Sequence, residues 1–460
     1  MARLDNPRYR AALEIARWLR ESGHAAYFAG GCVRDLLLGA EAHDFDIATS
    51  ATPEQVQATF ARTEAVGAHF GVVLVIDKVD GERIATEVAT FRSDGAYSDG
   101  RRPDAVRFST DACEDVVRRD FTINGMLLDV LRYEAGDRLA DCILDFVGGL
   151  TDLAHGIVRA IGEPAWRFGE DKLRMLRAVR FAARLGFTLE HRTLAAIRSH
   201  AGQISVVSAE RVRDELTKIL TEGAARHGFE LLDETGLLLQ VLPEIARMKG
   251  VEQPPQYHPE GDVFVHTMML LGHLPRNASM TLAWGMLLHD VGKPATFTPP
   301  DSNKRGDRIR FNGHVEVGIA VARTILKRLR FSSDECAQIL ALVQHHMQFG
   351  DIMKMKRSTL KRFLRLPDFA EHLALHRADV MSSNKNLALY DFAEAKLREL
   401  GEEQIRPPLL ITGADLIAAG YKPGPQFKAM LTTAEDAQLE GEIGTREEGL
   451  VMLREKFGAA

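Results

Sequence analysis

Residues 28–49 read FAGGCVRDLLLGAEAHDFDIAT, and the reading of this stretch decides the fold. A short apolar run ends at Gly30-Gly31, VRDLLL follows with helical spacing, and Gly39 stops it. A second apolar run then carries Asp44 and Asp46, two positions apart. Side chains alternate along a strand, so both carboxylates face one side, with Cα atoms roughly 6–7 Å apart. Unpaired, they repel, and one is driven to keep its proton. A divalent cation removes that penalty, and two Mg2+ ions roughly 3.5–4 Å apart activate an attacking hydroxyl and stabilise a leaving oxygen. Taken alone, the two acids also fit a solvated strand face. The glycines add weight, because a glycine turn at a helix start lets backbone N–H groups approach a phosphate. Arg34 lies one turn into that helix, and Glu87 in IATEVATFR is placed to complete the acidic cluster from a neighbouring strand.

Outward from this stretch, residues 8–22 have the spacing of a helix and AAYFAG that of a strand. TPEQVQATF predicts a helix opened by a threonine cap and a first-turn proline. GVVLVIDK and RIATEVATF predict two strands joined at Asp80-Gly81, a strong hairpin signal. From about residue 163 helical periodicity takes over and strands are not expected. The proline-rich GVEQPPQYHPEGD (250–262) reads as a boundary, TPPDSNKRGDR (298–308) as a polar loop and EEQIRPPLL (402–410) as a linker. The expected division is an α/β head over 1–160, a helical neck and body over 161–250, a helical domain over 251–400 and a helical tail over 401–460.

FAGGCVRDLLLGAEAHDFDIAT resembles the first motif of the class II nucleotidyltransferases, the family of CCA-adding tRNA nucleotidyltransferases and bacterial poly(A) polymerases. EVATFRSDGAYSDGRRPDAVRF resembles its flexible loop, RRDFTINGML its second motif with Gly125 in place of the usual alanine, and DFVGG its third. EDKLRMLRAVRFAARLGF resembles the fourth and ERVRDELTKIL the fifth. The resemblance implies a polymerase-β-like head with a mixed sheet, Mg2+ as cofactor at Asp44 and Asp46, and Glu87 assisting at the hydroxyl-activating ion. It implies CTP and ATP as substrates, with tRNA as partner and no DNA, and Arg118, Arg119, Asp120 and Asn124 at the triphosphate and sugar. It also gives Arg177 and Arg180 a part in holding nucleotide.

Asp171 and Arg174 are spaced i and i+3, which predicts one shared helix face. Asp171 offers acceptors and Arg174 a fork of donors. Cytosine and adenine both carry an exocyclic amino group beside an unprotonated ring nitrogen, and that edge suits an acid plus an arginine. Uracil and guanine present a carbonyl and a ring N–H there and mismatch both contacts. The resemblance implies the same template role, and a 3′-hydroxyl attacking the α-phosphate with loss of pyrophosphate. Enzymes restricted to CC, to A or to poly(A) tails would carry the same pair.

Histidines gather late in the chain: His266 in FVHT, His289-Asp290 in LLHDVGK, His314 in FNGHVEVG, His345 and His346 in LVQHH, and Asp379 in HRADV. A lone histidine on an apolar helix is usually a core residue, but LLHDVGK sets two ligand types side by side before a glycine. The set resembles an HD domain, a helical metal-dependent phosphohydrolase fold. The resemblance assigns His266, His289, Asp290 and Asp379 to the core ligands and His314 and His345 to a second metal. Mixed imidazole and carboxylate donors leave the divalent ion open among Mn, Fe, Ni, Mg and Zn. An HD domain retired from catalysis and serving as an RNA-binding body fits the same residues, and a phosphohydrolase with a retired head is the reading of another class.

The chain has 460 residues, a length prior of roughly three domains. Its net charge of -6 gives no global basic field, so any nucleic-acid partner needs local patches. DIMKMKRSTLKRFLR supplies the densest one, with Lys354, Lys356, Arg357, Lys361, Arg362 and Arg365, although a solvated helix face reads alike. The four cysteines are scattered, against a disulfide framework and for a reducing compartment. No apolar run reaches the ~18 residues of a membrane span and the first residues lack an apolar leader core, so no membrane partner and a cytoplasmic location are expected.

Overall fold

The computed structural model describes residues 4–42, 44–65, 70–95, 105–256, 258–301 and 307–458. The centre of the flexible-loop match (96–104) and part of the polar loop (302–306) lie outside the described residues. Asn6 caps the first helix, Pro7–Glu21, by accepting from the backbone of Arg8 and Tyr9. Among the described residues eleven strands follow: β1 (Ala26–Ala29), β2 (Asp46–Thr49), β3 (Thr63–Glu64), β4 (Val72–Val79), β5 (Glu82–Thr90), β6 (Arg92–Asp94), β7 (Val106–Phe108), β8 (Met126–Leu128), β9 (Ile143–Asp145), β10 (Ile157–Val158) and β11 (Thr188–Leu189). Seven of them form a mixed sheet in the order β3-β4-β5-β2-β1-β8-β9. Within it β2 and β5 run parallel and the other neighbours antiparallel.

Local chemistry accounts for these elements. Asp80 and Gly81 both take positive φ (53° and 87°), the backbone of the tight turn that the β4–β5 hairpin requires. Thr52 and Gln55 form a reciprocal capping box at the Pro53–Thr59 helix. Phe45 lies between the two acids but points the other way, 6% exposed, and meets Tyr9 and Phe28 with ring centroids at 5.2 and 5.6 Å. Asp44 and Phe45 thus precede β2, which begins at Asp46 rather than including both acids: the ring anchors the backbone and both carboxylates face away from the core.

Two compact units divide the chain, Met1–Pro243 and Glu244–Ala460. The expected head and most of the expected neck and body share the first. Its later helices are Pro164–Glu170, Leu173–Leu185, His191–His200, Ala209–Thr221 and Ala225–Glu234. Strands do not end at residue 163, since β10 pairs in parallel with β11. The second unit is helical. A cluster of Phe349, Phe363 and Phe369 packs edge-on and tilted in its core. The expected linker at 402 begins inside a helix that runs on to Ile405, broken only by Gly401 with φ 60° and ψ 170°. Among the described residues no helix is long and apolar enough to cross a membrane.

Candidate active site and metal centre

Gly30 has φ 78° and ψ -133°, a conformation that only glycine adopts without strain, and it turns β1 into the Gly31–Leu37 helix. That turn forms one wall of a cavity of about 590 Å3 in the first unit. Asp44 and Asp46 lie on another wall. Ile47 pairs with Val88, which sets Asp46 beside Glu87 on the adjacent strand. Partial burial in the cleft, and then the charges of Glu87 and Asp44, push the Asp46 carboxyl up from 3.8 to about 6. Asp44 leans outward to Arg8 at 2.6 Å, an exposed pair of little worth. Asp46, with the charges of Asp44 and Glu87 both pressing on it, belongs to a carboxylate set that fits a divalent cation.

The cavity wall carries eight arginines against five aspartates, the charge balance of a site for a polyanion. Buried Arg34 donates to Asp35 at 2.8 Å and to Asn124 at 2.7 Å. Asn124 in turn donates to Asp120, which also accepts from Arg177 at 2.6 Å. Burial raises the Asp120 carboxyl, but Arg177 and Asn124 outweigh it and hold the group below its ordinary value. Arg118 and Arg119 are both anchored by Asp115, which is fully buried. Arg34, Arg177 and Arg180 stack about Phe181, their guanidinium carbons 5.2, 5.4 and 4.3 Å from the ring centroid. Arg180 gives its donors to Glu215 (2.7 Å) and Glu222, so it braces the wall more than it faces the cavity. Cys32 also lines the cavity, but burial and Asp46 push its thiol up to about 12, which leaves it unreactive.

Asp171 and Arg174 do not share a helix face. Asp171 ends the Pro164–Glu170 helix in an extended conformation (φ -141°, ψ 107°), and Arg174 lies in the first turn of the next helix. The Asp171 side chain accepts the Leu173 N–H at 3.0 Å, a local bond that competes with helix continuation. Both side chains still line the cavity. Asp171 accepts from Arg211 at 2.7 Å, and Arg174 donates to the carbonyls of Arg118 and Arg167 and to Glu170. The sequence reading missed Arg211, whose partner lies 40 residues away and which no local spacing marks.

In the second unit Asp290 sits between two trios whose donor atoms lie within 4.8 Å: His266, His289 and Asp379 on one side, Asp290 itself with His314 and His346 on the other. Four imidazoles share one arrangement. Nδ1 of His289, His314 and His346 contacts a backbone carbonyl at 2.7–2.9 Å, and Nδ1 of His266 contacts Glu260 at 2.7 Å. Those bonds hold Nδ1 as the donor and turn Nε2 inward, and all four Nε2 atoms are buried without a hydrogen-bond partner. Asp379 comes within 3.1 Å of His266 Nε2 and Asp290 within 3.1 Å of His289 Nε2. Burial lowers His266, but Asp379 and Glu260 outweigh it and push the ring up to about 9, so an ion arriving at its Nε2 displaces a proton. Orphaned ring nitrogens converging with carboxylates fit a divalent ion. Burial pushes His346 down to about 4, which keeps it neutral for ligation. Gly292 makes the approach possible: a Cβ there would sit 2.1 Å from the His314 carbonyl oxygen.

His345, expected among these ligands, is not in the cluster. It faces His372 with ring centroids 5.9 Å apart, and His346 takes its place. Neighbouring residues on a helix point about 100° apart, and adjacent histidines in a sequence do not reveal which one faces inward. The basic patch is also smaller than expected. Lys361 is buried and donates to the Leu439 carbonyl, Arg362 pairs with Glu435 and Asp436, and Arg365 pairs with Glu435. These three pack their helix against Gln426–Glu440, and Lys354, Lys356 and Arg357 are left as the accessible part of the patch.

Family models match residues 26–159 as a poly A polymerase head domain and 186–249 as a probable RNA and SrmB-binding site of polymerase A. A third, a putative tRNA nucleotidyltransferase domain 2, matches residues 314–453. The chain is 32% identical over 452 residues to the CCA-adding enzyme of Levilactobacillus brevis, covering 96% of each. It belongs to the CCA-adding enzyme family. The family member of Limosilactobacillus fermentum is 31% identical over 437 residues. A solved CCA-adding enzyme of Bacillus stearothermophilus, in complex with CTP, matches with a TM-score of 0.70 at 28% identity over 98% of each chain. This CCA-adding family member departs from the expected motif at Gly125 for a packing reason. A Cβ there would meet Val147 at 2.9 Å and Ile161 at 3.0 Å, so side chains from outside the motif occupy the alanine's space.

Proposed function

We propose that this chain adds C and A to the 3′ end of tRNA from CTP and ATP, releasing pyrophosphate. One observation carries the reading: paired acids, a glycine turn and the Asp171–Arg174 junction all line a single arginine-rich cavity. Asp44 and Asp46, with Glu87 beside them, would hold Mg2+, which supplies hydroxyl activation and charge neutralisation when bound. Arg118, Arg119 and Arg177 neutralise the triphosphate, and the Gly30-Gly31 backbone approaches it closely. Asp171 accepts from the exocyclic amino group of cytosine or adenine, and Arg174 donates to the ring nitrogen beside it. Both leave their present partners to do so. Uracil and guanine would leave buried polar groups unpaired, which costs about 1–3 kcal/mol per group. Positioning and charge do the work, with no covalent intermediate. Incubating tRNA lacking CCA and tRNA ending in CC with CTP, ATP, or both, tests the reading. Stepwise CCA completion supports it, and C-only, A-only or long A-tail products assign the chain to a restricted relative. A cytoplasmic location and phosphate contacts from Lys354, Lys356 and Arg357 belong to the same proposal.

The four orphaned Nε2 atoms favour a second reading for the other unit. Residues 251–400 form an HD-type domain in which His266, His289, Asp290, His314, His346 and Asp379 hold divalent metal and hydrolyse phosphoesters. Phosphoesterase activity that survives Asp46→Ala and disappears in Asp290→Ala supports it. Full occupancy with no turnover on any phosphoester would make the domain a structural body.

A further inference from the structure

The proline-rich segment 250–262, which reads as a linker, touches the histidine–aspartate cluster at two points. Gln253 is buried, and its Oε1 accepts from Nζ of Lys293 at 2.7 Å. Lys293 in turn pairs with Asp290 at 2.7 Å. At the other end of the segment Glu260, nearly fully buried, presents one oxygen, Oε1, to two imidazoles: His258 Nδ1 at 2.9 Å and His266 Nδ1 at 2.7 Å. The rings stand edge to face with centroids 5.0 Å apart. The backbone around Glu260 is fixed in advance. Gly261 takes φ 132°, and Asp262 caps the Val263–Leu271 helix at the Val265 N–H while also accepting from Gly250.

His258, Glu260 and His266 could themselves be taken for metal ligands. The His266 contact decides against it. Neighbouring ligands about 2.0–2.1 Å from an ion lie about 2.8–3.0 Å apart in octahedral geometry and about 3.3 Å apart in tetrahedral geometry, and the 2.7 Å at His266 is shorter than either and is a hydrogen-bond length. Glu260 therefore receives two N–H groups.

We propose that Glu260 is a positioning residue of the HD-type centre: by accepting from Nδ1 of both His258 and His266 it holds Nδ1 as the donor, and so sets the affinity of the cluster for a divalent ion. This rests on the reading of the cluster as a metal site. His266 Nε2 is the ligand atom so prepared, and His258 lines the adjoining cavity of about 500 Å3. A carboxylate behind a ligating histidine also raises the basicity of the ring, and loss of such a partner typically weakens metal binding about 10–100-fold.

The test uses the full chain carrying Asp46→Asn, so that the head contributes no tight site. The protein is stripped with chelator and titrated with Co2+, read by its visible absorption bands. The parent should bind, and Asp290→Ala should abolish uptake. Glu260→Ala should weaken uptake about 10–100-fold, and Glu260→Gln, which keeps volume and an accepting oxygen, should lie between parent and alanine. Circular dichroism establishes folding. If Glu260→Ala does not fold, Glu260→Gln decides, with about threefold or greater weakening supporting the proposal and parental affinity refuting it. Parental affinity in both variants, with uptake lost in Asp290→Ala, overturns the proposal and leaves the metal site standing. A parent that binds no Co2+ overturns the metal site and the proposal together.

Discussion

Asp46→Asn separates a functional acid from a structural one, because its effect on stability should change sign with conditions. The Asp46 carboxyl stands at about 6 in the fold against 3.8 for an ordinary aspartate, raised first by burial and then by Glu87 and Asp44. The folded value is the higher one, so the ionised group costs stability at pH above 6, and that cost disappears as pH falls through 6 toward 4. A two-unit shift corresponds to about 3 kcal/mol. Asp46 faces an open cleft and is exposed, so screening leaves roughly 1 kcal/mol. In chelator at pH 8, Asp46→Asn should accordingly be more stable than the parent by roughly 1 kcal/mol, and the difference should close below pH 4. Saturating Mg2+ reverses the order: at 100 times the dissociation constant the parent gains about 2.7 kcal/mol, and the variant gains little. Urea unfolding followed by circular dichroism, with and without Mg2+ at pH 8 and pH 4, measures all four values, and tRNA extension by the variant should be lost. A variant less stable than the parent in chelator at pH 8, or one stabilised equally by Mg2+, would refute the metal-site reasoning.

Phe45→Ala removes the ring between the two acids and should cost about 3–5 kcal/mol in urea unfolding, with a raised Mg2+ requirement in whatever remains folded. Arg211→Ala frees Asp171 from its arginine partner and should lower kcat/KM for both CTP and ATP by about tenfold while narrowing the margin over UTP, measured by single-turnover extension. Lys354→Ala and Lys356→Ala should weaken tRNA binding and each reduce its salt slope by about 1, read from filter binding across a salt series. Lys361→Met, at a buried site, should change stability and leave that slope alone.

Much of the head was legible in the sequence because its signals are local. The strand, glycine turn and helix of residues 28–37, the Thr52 cap and the Asp80-Gly81 turn each depend on a few adjacent residues, and the structure has them all. The single cavity that collects Asp44, Asp46, Asp171 and Arg174 also agrees with the motif order. What failed was geometry at junctions. The i,i+3 spacing of Asp171 and Arg174 suggested one helix, but an aspartate side chain bonding two residues ahead ends the helix there. HH at 345–346 did not reveal its inward member, and the charge of DIMKMKRSTLKRFLR did not reveal that Lys361, Arg362 and Arg365 meet another helix.

The amino-acid order by itself determined which segments become strands and helices and which residue types are available for chemistry, since backbone dihedrals and side-chain periodicity act over only a few positions. Tertiary structure alone decided the partners: Arg211 for Asp171, Glu260 for His266 and His258, and His346 in place of His345. Arg211 and Asp171 stand 40 residues apart, the choice between His345 and His346 depends on the rotation of a whole helix, and Glu260 meets its near neighbours His258 and His266 only through the turn at Gly261; burial makes each pairing obligatory only after the fold has closed around it.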